Sequence, residues 1–154
     1  MATYTATASL FGAFKEGMGD GVFNFGTDTL KVLLTTSSWT PDGTTEVYVD
    51  DNAGANDIAD HEVTGNGYAR QTVTGTWART GSTCKLTLTD PTFTASGGSI
   101  TARYWVLFAD AGGADTANPV IAYGLLDNTP ADVVTTDGND LVIDFNDANG
   151  LFSY

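Results

Sequence analysis

Residues 100–110 are the stretch of this sequence that most constrains its fold. From residue 104 to residue 108 every side chain is aromatic or aliphatic, so neither face of this segment suits contact with water. Glycine pairs at 97–98 and 112–113 bound the run, which is too short for an independent helix. Burying each large side chain contributes roughly 1.5–3 kcal/mol. The pattern therefore predicts a central β-strand that is covered on both sides.

The composition predicts a single folded domain. The chain has 154 residues, enough for one domain with a proper core, and no segment marks a hinge between two domains. Hydrophobic residues make up 42% of the chain and charged residues 16%, proportions that exclude a disordered chain. The net charge of −13 argues against nucleic acid as a partner, because a phosphate backbone would be repelled.

Neither the cysteine content nor the N-terminus indicates secretion. Cys84 is the single cysteine, so no disulfide can form within the chain, and its alternating surroundings predict a buried free thiol. The first ten residues lack the basic start and the long apolar stretch of a signal peptide, and no segment resembles a membrane span. We therefore expect a soluble protein without a membrane partner.

Residues 9–18 predict a short amphipathic helix. Ser9 is a suitable N-cap, and glycines at 17 and 19 end the pattern. Its apolar face consists of four residues at helical spacing: Leu10, Phe11, Phe14 and Met18. This face either closes one end of the β-domain or docks on a neighbouring subunit. We accordingly divide the chain into an N-terminal helical segment or arm, 1–27, and a β-domain, 28–154.

Six strands are predicted from β-branched, aromatic and alternating apolar residues. They cover residues 30–36, 68–74 (continuing toward Trp77), 83–89, 104–108, 120–126 and 141–145, with a weaker candidate at 133–134. The inward faces of two of them are Cys84, Leu86 and Leu88, and Leu141, Ile143 and Phe145. The segment Asp137-Gly138-Asn139 is the strongest hairpin signal. Because no connection is long enough for a crossover helix, we expect an all-β fold: a single antiparallel β-sandwich, jelly-roll or immunoglobulin-like, with a short N-terminal helix.

Residues 38–64 form an irregular, acidic loop. The segment contains no Lys or Arg, and five of its seven acids lie between residues 50 and 62: Asp50, Asp51, Asp57, Asp60 and Glu62. Loops of this length in compact domains are usually functional or disordered, so we expect a contact surface here. An irregular calcium site is an alternative use of the acids, and a solvated acidic face is the simpler interpretation.

The sequence contains no motif for catalysis. His61 is the only histidine, and no serine or cysteine nucleophile motif accompanies it. With 19 acidic residues, a chance pair of carboxylates is too common to indicate a glycosidase. Residues 144–150 resemble a calcium loop, but Ala148 stands where the EF-hand pattern requires Asp or Asn. We expect a protein that is not an enzyme and that uses no cofactor or metal.

The charges are unevenly placed along the chain. Residues 110–147 contain eight aspartates and no base. Residues 63–103 hold four bases and one acid, namely Arg70, Arg79, Lys85, Arg103 and Asp90. The basic region would suit self-association or docking on an acidic partner.

Five sequence blocks, taken in order, carry a family resemblance. They are FKEGM at 14–18, DTLKVLLTTS at 28–37, EVTGNGYA at 62–69, SITARY at 99–104 and NGLF at 149–152. Together they resemble a family of small virion structural proteins of tailed bacteriophages, whose members are decoration (cement), head-fibre or tail proteins. The chain departs from the family pattern in its longer acidic loop between Pro41 and Glu62 and in the double aromatic Tyr104-Trp105.

The resemblance implies a component of the virion, assembled in the host cytoplasm, without fixing its place in the particle. Together with the compact β pattern and the absence of a catalytic motif, it leads us to expect a capsid decoration protein that binds and stabilises the shell of major capsid protein. Shell symmetry would suit self-association into trimers. A tail or head-fibre component is the alternative within the particle, and a carbohydrate-binding module with Trp39, Trp77 or Tyr48 as stacking platforms is the alternative from another class. The residues expected to bind a partner are Leu10, Phe11, Phe14, Met18, Trp39, Arg70 and Arg79.

Overall fold

The computed structural model describes residues 1–51, 56–127, 129, 131–145, 148 and 150–153. Within these residues the chain is mostly β, with one α-helix, α1 (Gly12–Asp20), and 3-10 turns at Ala59–His61 and Asp115–Ala117. The strands are β1 (Ala2–Thr5), β2 (Ser9–Leu10), β3 (Thr29–Thr35), β4 (Gln71–Val73), β5 (Gly75–Thr80), β6 (Thr83–Leu88), β7 (Thr92–Thr94), β8 (Ile100–Ala102), β9 (Tyr104–Asp110), β10 (Val120–Leu125), β11 (Val133–Thr135), β12 (Asp140–Asp144) and β13 (Phe152–Ser153). The predicted β class is thereby confirmed, with a single helix near the N-terminus.

Strand β9 is the middle strand of the largest sheet, as the sequence predicts. The order of this sheet is β2-β10-β9-β3-β4, and β9 pairs antiparallel with both β3 and β10. Residues 105–109 are all buried, because other parts of the chain cover both faces of the strand. Val106 lies opposite Leu33, and Leu107 lies opposite Val32.

The stretch 100–110 forms two strands rather than one. Strand β8 pairs with β11 in a separate two-stranded sheet, so the chain changes sheets at Arg103. The Arg103 N–H donates to the Thr35 carbonyl at 2.9 Å, and the Arg103 carbonyl accepts from the Leu126 N–H at 2.9 Å. These two bonds satisfy the backbone N–H and carbonyl of Arg103, which lies between β8 and β9 and outside the hydrogen-bond ladder of either sheet.

The predicted helix boundaries and the Ser9 cap are wrong. Ser9 and Leu10 form β2 and pair with β10, which prevents them from entering a helix. Helix α1 begins after Phe11, which makes no side-chain capping bond, and ends at Gly21 in the left-handed conformation. Strand β1 pairs with β12. Residues 1–27 therefore contribute two strands and a helix to the same body and do not form a detached arm.

The remaining sheets correct two further expectations. Their orders are β1-β12-β7, β11-β8 and β13-β6-β5, and β1 runs parallel to β12, so the strands are not all antiparallel. The Asp137-Gly138-Asn139 turn exists but makes no hairpin, because β11 pairs with β8 whereas β12 pairs with β1 and β7. The tight hairpin joins β5 to β6 instead, with Thr80 opposite Thr83.

The inward faces predicted for residues 83–89 and 141–145 agree largely with the observed burial. Leu86 and Leu88 of β6 are buried, as are all three predicted inward residues at the end of the chain, Leu141, Ile143 and Phe145. Cys84 is a free cysteine but only half-buried, because the body no longer covers the hairpin at its position.

Candidate interaction surface

The apolar side of α1 packs against the chain itself. Phe11 and Phe14 are fully buried, and Leu10 and Met18 are half-buried. The Phe14 ring lies 5.0 Å from Phe23 and 5.2 Å from Phe152, centroid to centroid. The prediction that Phe11 and Phe14 bind a partner is wrong, because residues of the same chain already cover both rings.

Trp39 is buried as well and cannot serve as an exposed platform. Its Nε1–H donates to Glu46 Oε1 at 2.9 Å, and its ring meets Tyr104 and Tyr123 edge-on. Burial raises the pKa of Glu46 to about 7, and the bond from Trp39 offsets only part of that effect. Trp39 therefore anchors the first half of the acidic loop to the central sheet.

Several acids of the loop bind its own backbone and side chains. Asp42 accepts bonds from Thr44 and Thr45, and these bonds lower the pKa of Asp42 to about 2. Asp51 accepts from the N–H groups of Val47 and Tyr48 at 3.0 and 2.9 Å. These bonds give the loop local structure before residues 52–55, which lie outside the described residues. Its role as a contact surface stays a prediction.

Arg70 forms an internal clasp and is not available to a partner. Its guanidinium donates to both carboxylate oxygens of Glu62 and of Asp115, at 2.6 to 3.1 Å, and lies 5.2 Å from the centroid of Phe108. The Tyr68 hydroxyl donates to Glu62 at 2.7 Å. The hydrogen bonds that Arg70 donates to Asp115 and Glu62 raise the pKa of Arg70, and the bond that Asp115 accepts from Arg70 lowers the pKa of Asp115. The clasp fastens the end of the acidic loop to the turn after β9.

Arg79 lies in the most exposed part of the fold. All residues from 76 to 83, which we call the hairpin tip, are solvent-exposed, although β5 and β6 are paired there. Across the hairpin Trp77 pairs with Leu86 and Arg79 pairs with Cys84, so these four side chains share the face that is turned toward the body. Leu86 is buried whereas Arg79 is exposed. The body therefore covers only the base of the hairpin.

An open aromatic groove lies beside the base of this hairpin. It has a volume of about 660 Å³ and is lined by Met18, Gly21, Phe23, Asn24, Phe25, Gly26, Gly75, Thr76 and Trp77. Trp77 is 36% exposed, and its ring lies 5.8 Å from Phe25 and 5.6 Å from Phe152. Sequence reasoning missed Phe23, Phe25 and Phe152. The alternation of Phe23 and Phe25 around Asn24 was the available signal.

Side chains that could bind a metal ion are not clustered among the described residues. These residues contain no cluster of three or more His, Cys, Asp or Glu side chains that could hold a metal ion. His61 is half-buried in the 3-10 turn within the acidic loop. Asn146, Asp147 and Asn149 of the calcium-like segment lie outside the described residues. No helix in the described part of the chain is long and apolar enough to cross a membrane.

The chain was compared with protein-family models, with curated proteins and with solved structures, and none of the three comparisons finds a match.

Proposed function

We propose that this chain is a structural protein of a tailed-bacteriophage virion, and most specifically a capsid decoration protein that binds the shell of major capsid protein. One observation carries the structural side of the proposal. The aromatic groove and the hairpin tip adjoin at Thr76 and Trp77 and form one outward surface. The sequence blocks that resemble virion proteins support the assignment of the chain to a bacteriophage particle. We assign the chain a binding role and no catalytic activity.

The proposed mechanism is stabilisation by mass action. A protein that binds the assembled shell but not its dissociated subunits shifts the equilibrium toward the shell. At a free concentration one hundred times its Kd, each bound site adds about 2.7 kcal/mol to shell stability. Such a role requires a module whose contact surface is held in place, and the Arg70 clasp and the Trp39 anchor fasten the acidic loop to the rest of the fold.

The fold that we propose for this module is a β-sandwich. Side chains of the central sheet and of the β5–β6 sheet meet at Gly75, and this contact supports the packing of one sheet against the other. A Cβ added at Gly75 would lie 2.7 Å from Leu30 of β3 and 3.3 Å from Leu86 of β6. The jelly-roll and immunoglobulin-like connection schemes stay predictions.

A shell-stability assay tests the proposed function. Purified chain added to shells that lack it should raise the melting temperature of the shell in a saturable way. Trp77→Ala should weaken this effect, because the substitution removes the largest exposed ring of the groove. Tyr48→Ala is the matched control, since Tyr48 is 38% exposed but lies outside the groove lining. A shell whose melting temperature does not change at saturating protein would contradict the proposal.

A carbohydrate-binding module is the second candidate, and the exposed aromatic rings favour it. Trp39 is excluded as a platform by its burial, which leaves Trp77 and Tyr48. A ring that stacks on a sugar must present a face to solvent, and Trp77 and Tyr48 are among the most exposed aromatic side chains of the described residues. Binding on a glycan array that Trp77→Ala or Tyr48→Ala abolishes would favour this candidate over shell decoration.

A further inference from the structure

Glu46 is a buried acid that forms no ion pair within the described residues. The side chain is 6% exposed, and Trp39 Nε1–H donates to its Oε1 at 2.9 Å, whereas its Oε2 has no hydrogen-bond partner among the described residues. The ion pairs of this part of the chain engage Lys31, Arg70 and Arg103, and none of them includes Glu46. A buried carboxylate without a compensating charge is strongly unfavourable, so this site favours the neutral acid.

The neighbouring charges add to this preference. Asp42 and Asp51 lie in the same loop as Glu46, and both act on it as like charges. The charged form of Asp42 is favoured by the hydrogen bonds that it accepts from the turn after it. From the central sheet, the rings of Tyr104 and Tyr123 pack on the indole and bring no opposite charge. An ionised Glu46 would therefore be a third negative charge in one stretch of chain, with no positive charge to offset it.

Residues 37–46, which we call the latch segment, have few other backbone attachments in the described part of the fold. One backbone hydrogen bond ties the described residues of this segment to a distant element, from the Gly12 N–H of α1 to the Gly43 carbonyl at 2.7 Å. The residues on either side are fastened, because the Thr36 N–H donates to the 3-10 turn of the loop at 2.9 Å and the Val47 carbonyl accepts from β10 at 3.0 Å. The segment can therefore move between two fastened ends once the indole is released.

We propose that Glu46 and Trp39 form a proton-operated latch. While Glu46 is protonated, its bond with Trp39 keeps the latch segment closed on the central sheet. When Glu46 loses its proton to solvent, the segment opens and both side chains reach water. Opening uncovers the sheet face that carries Tyr104 and Tyr123, on which Trp39 packs edge-on. The latch is a property of the isolated chain and does not depend on a place in a virion.

The difference between the closed and the open segment sets the pH range of the latch. The pKa of Glu46 is about 7 in the closed segment and returns to its ordinary value, 4.5, when the open segment exposes the carboxyl group to water. The equilibrium constant for opening therefore rises with pH between 4.5 and 7 and is level above this window. From pH 5 to pH 8 it should rise roughly 50- to 100-fold.

Hydrogen exchange of the Trp39 indole N–H, followed by NMR and corrected for the intrinsic rate, tests the latch. Protection of this N–H should fall roughly 50- to 100-fold from pH 5 to pH 8. At pH 8 it should exchange faster than the amides of β9, and low urea should accelerate the β9 amides but not the indole, because local opening exposes little surface. Protection of the indole that does not depend on pH overturns the proposal, and so does an indole that exchanges only together with β9.

Glu46→Gln removes the proton that operates the latch but keeps an oxygen that accepts the Trp39 bond. Protection of the Trp39 indole in this variant should not depend on pH. Glu16→Gln is the matched control, because it makes the same change at an exposed site on α1 and should keep the pH dependence of the parent. A Glu46→Gln protein with the pH dependence of the parent, or a Glu16→Gln protein that loses it, overturns the proposal.

Discussion

Glu46 is a buried carboxyl group whose ionisation should make stability depend on pH. The side chain is 6% exposed, its Oε2 has no hydrogen-bond partner among the described residues, and its pKa is raised to about 7. Between pH 4.5, its ordinary pKa, and pH 7 the unfolded chain ionises while the folded chain stays protonated. The contribution of this group to stability therefore falls as pH rises through that window and is constant above it.

Glu46→Gln should remove this pH dependence. The amide oxygen can still accept the bond from Trp39 Nε1–H, and the uncharged side chain carries no ionisation penalty. At pH 8 we expect the variant to be more stable than the parent by an amount on the order of 2–3 kcal/mol, and at pH 4 to differ little from it. Denaturant unfolding at both pH values measures the difference. Equal stability of the two proteins at pH 8 would show that the Glu46 carboxylate is solvated.

Arg70→Lys should destabilise the fold although it preserves charge. Lysine presents a single ammonium and cannot bond both carboxylates through parallel pairs, as the Arg70 guanidinium does with Glu62 and Asp115. Since all three side chains are partly exposed, we expect a loss of about 1–2 kcal/mol. Arg79→Lys, at the exposed hairpin tip, should change stability by less than about 0.5 kcal/mol. Thermal unfolding of both variants tests the clasp, and identical shifts would contradict it.

At the scale of the element, the centre of the sheet should tolerate no charge on either face. Val106 and Leu107 point to opposite faces of β9, and both are fully buried. Val106→Asp and Leu107→Asp should each prevent soluble folding, because an unpaired buried carboxylate costs several kcal/mol against a total stability of about 5–15 kcal/mol. Val134→Asp is the matched control, since Val134 in β11 is 57% exposed. A soluble Val106→Asp protein that melts near the parent would remove β9 from the centre of the fold.

Local periodicity predicted individual strands, because it reflects how many of their faces are buried. It predicted little about which strands pair with each other. Strand β9 reads as a continuous apolar run and β12 as an alternating one, because those patterns reflect two covered faces and one covered face. Turn chemistry at Asp137-Gly138-Asn139 correctly marked a turn but could not specify the strands to be paired. The parallel pairing of β1 with β12 joins distant segments and leaves no local trace.

The candidate surface was predictable only in part, for a related reason. Arg79 belongs to the basic region that the sequence shows, and the structure places it at the exposed hairpin tip; its role in binding stays a prediction. Trp39 and Arg70 have side chains that bind partners well, and the sequence does not say that Glu46, Glu62 and Asp115 of the same chain already engage them. The groove was missed because its aromatic residues come from segments far apart in the chain.

At the scale of the whole molecule, a shared core and unevenly placed charge are the features that a shell component would use. A body with its loops fastened to one core can present a fixed surface, and binding to a fixed surface loses little conformational entropy. The acidic remainder of the chain would at the same time keep unbound copies from docking in wrong orientations.

Cryo-electron microscopy of the virion that carries this chain tests the proposed function most directly. The account predicts density for the chain on the outer face of the capsid shell, with the aromatic groove or the hairpin tip against major capsid protein or a neighbouring copy. Density confined to a tail tube or a fibre, with none on the shell, would contradict it.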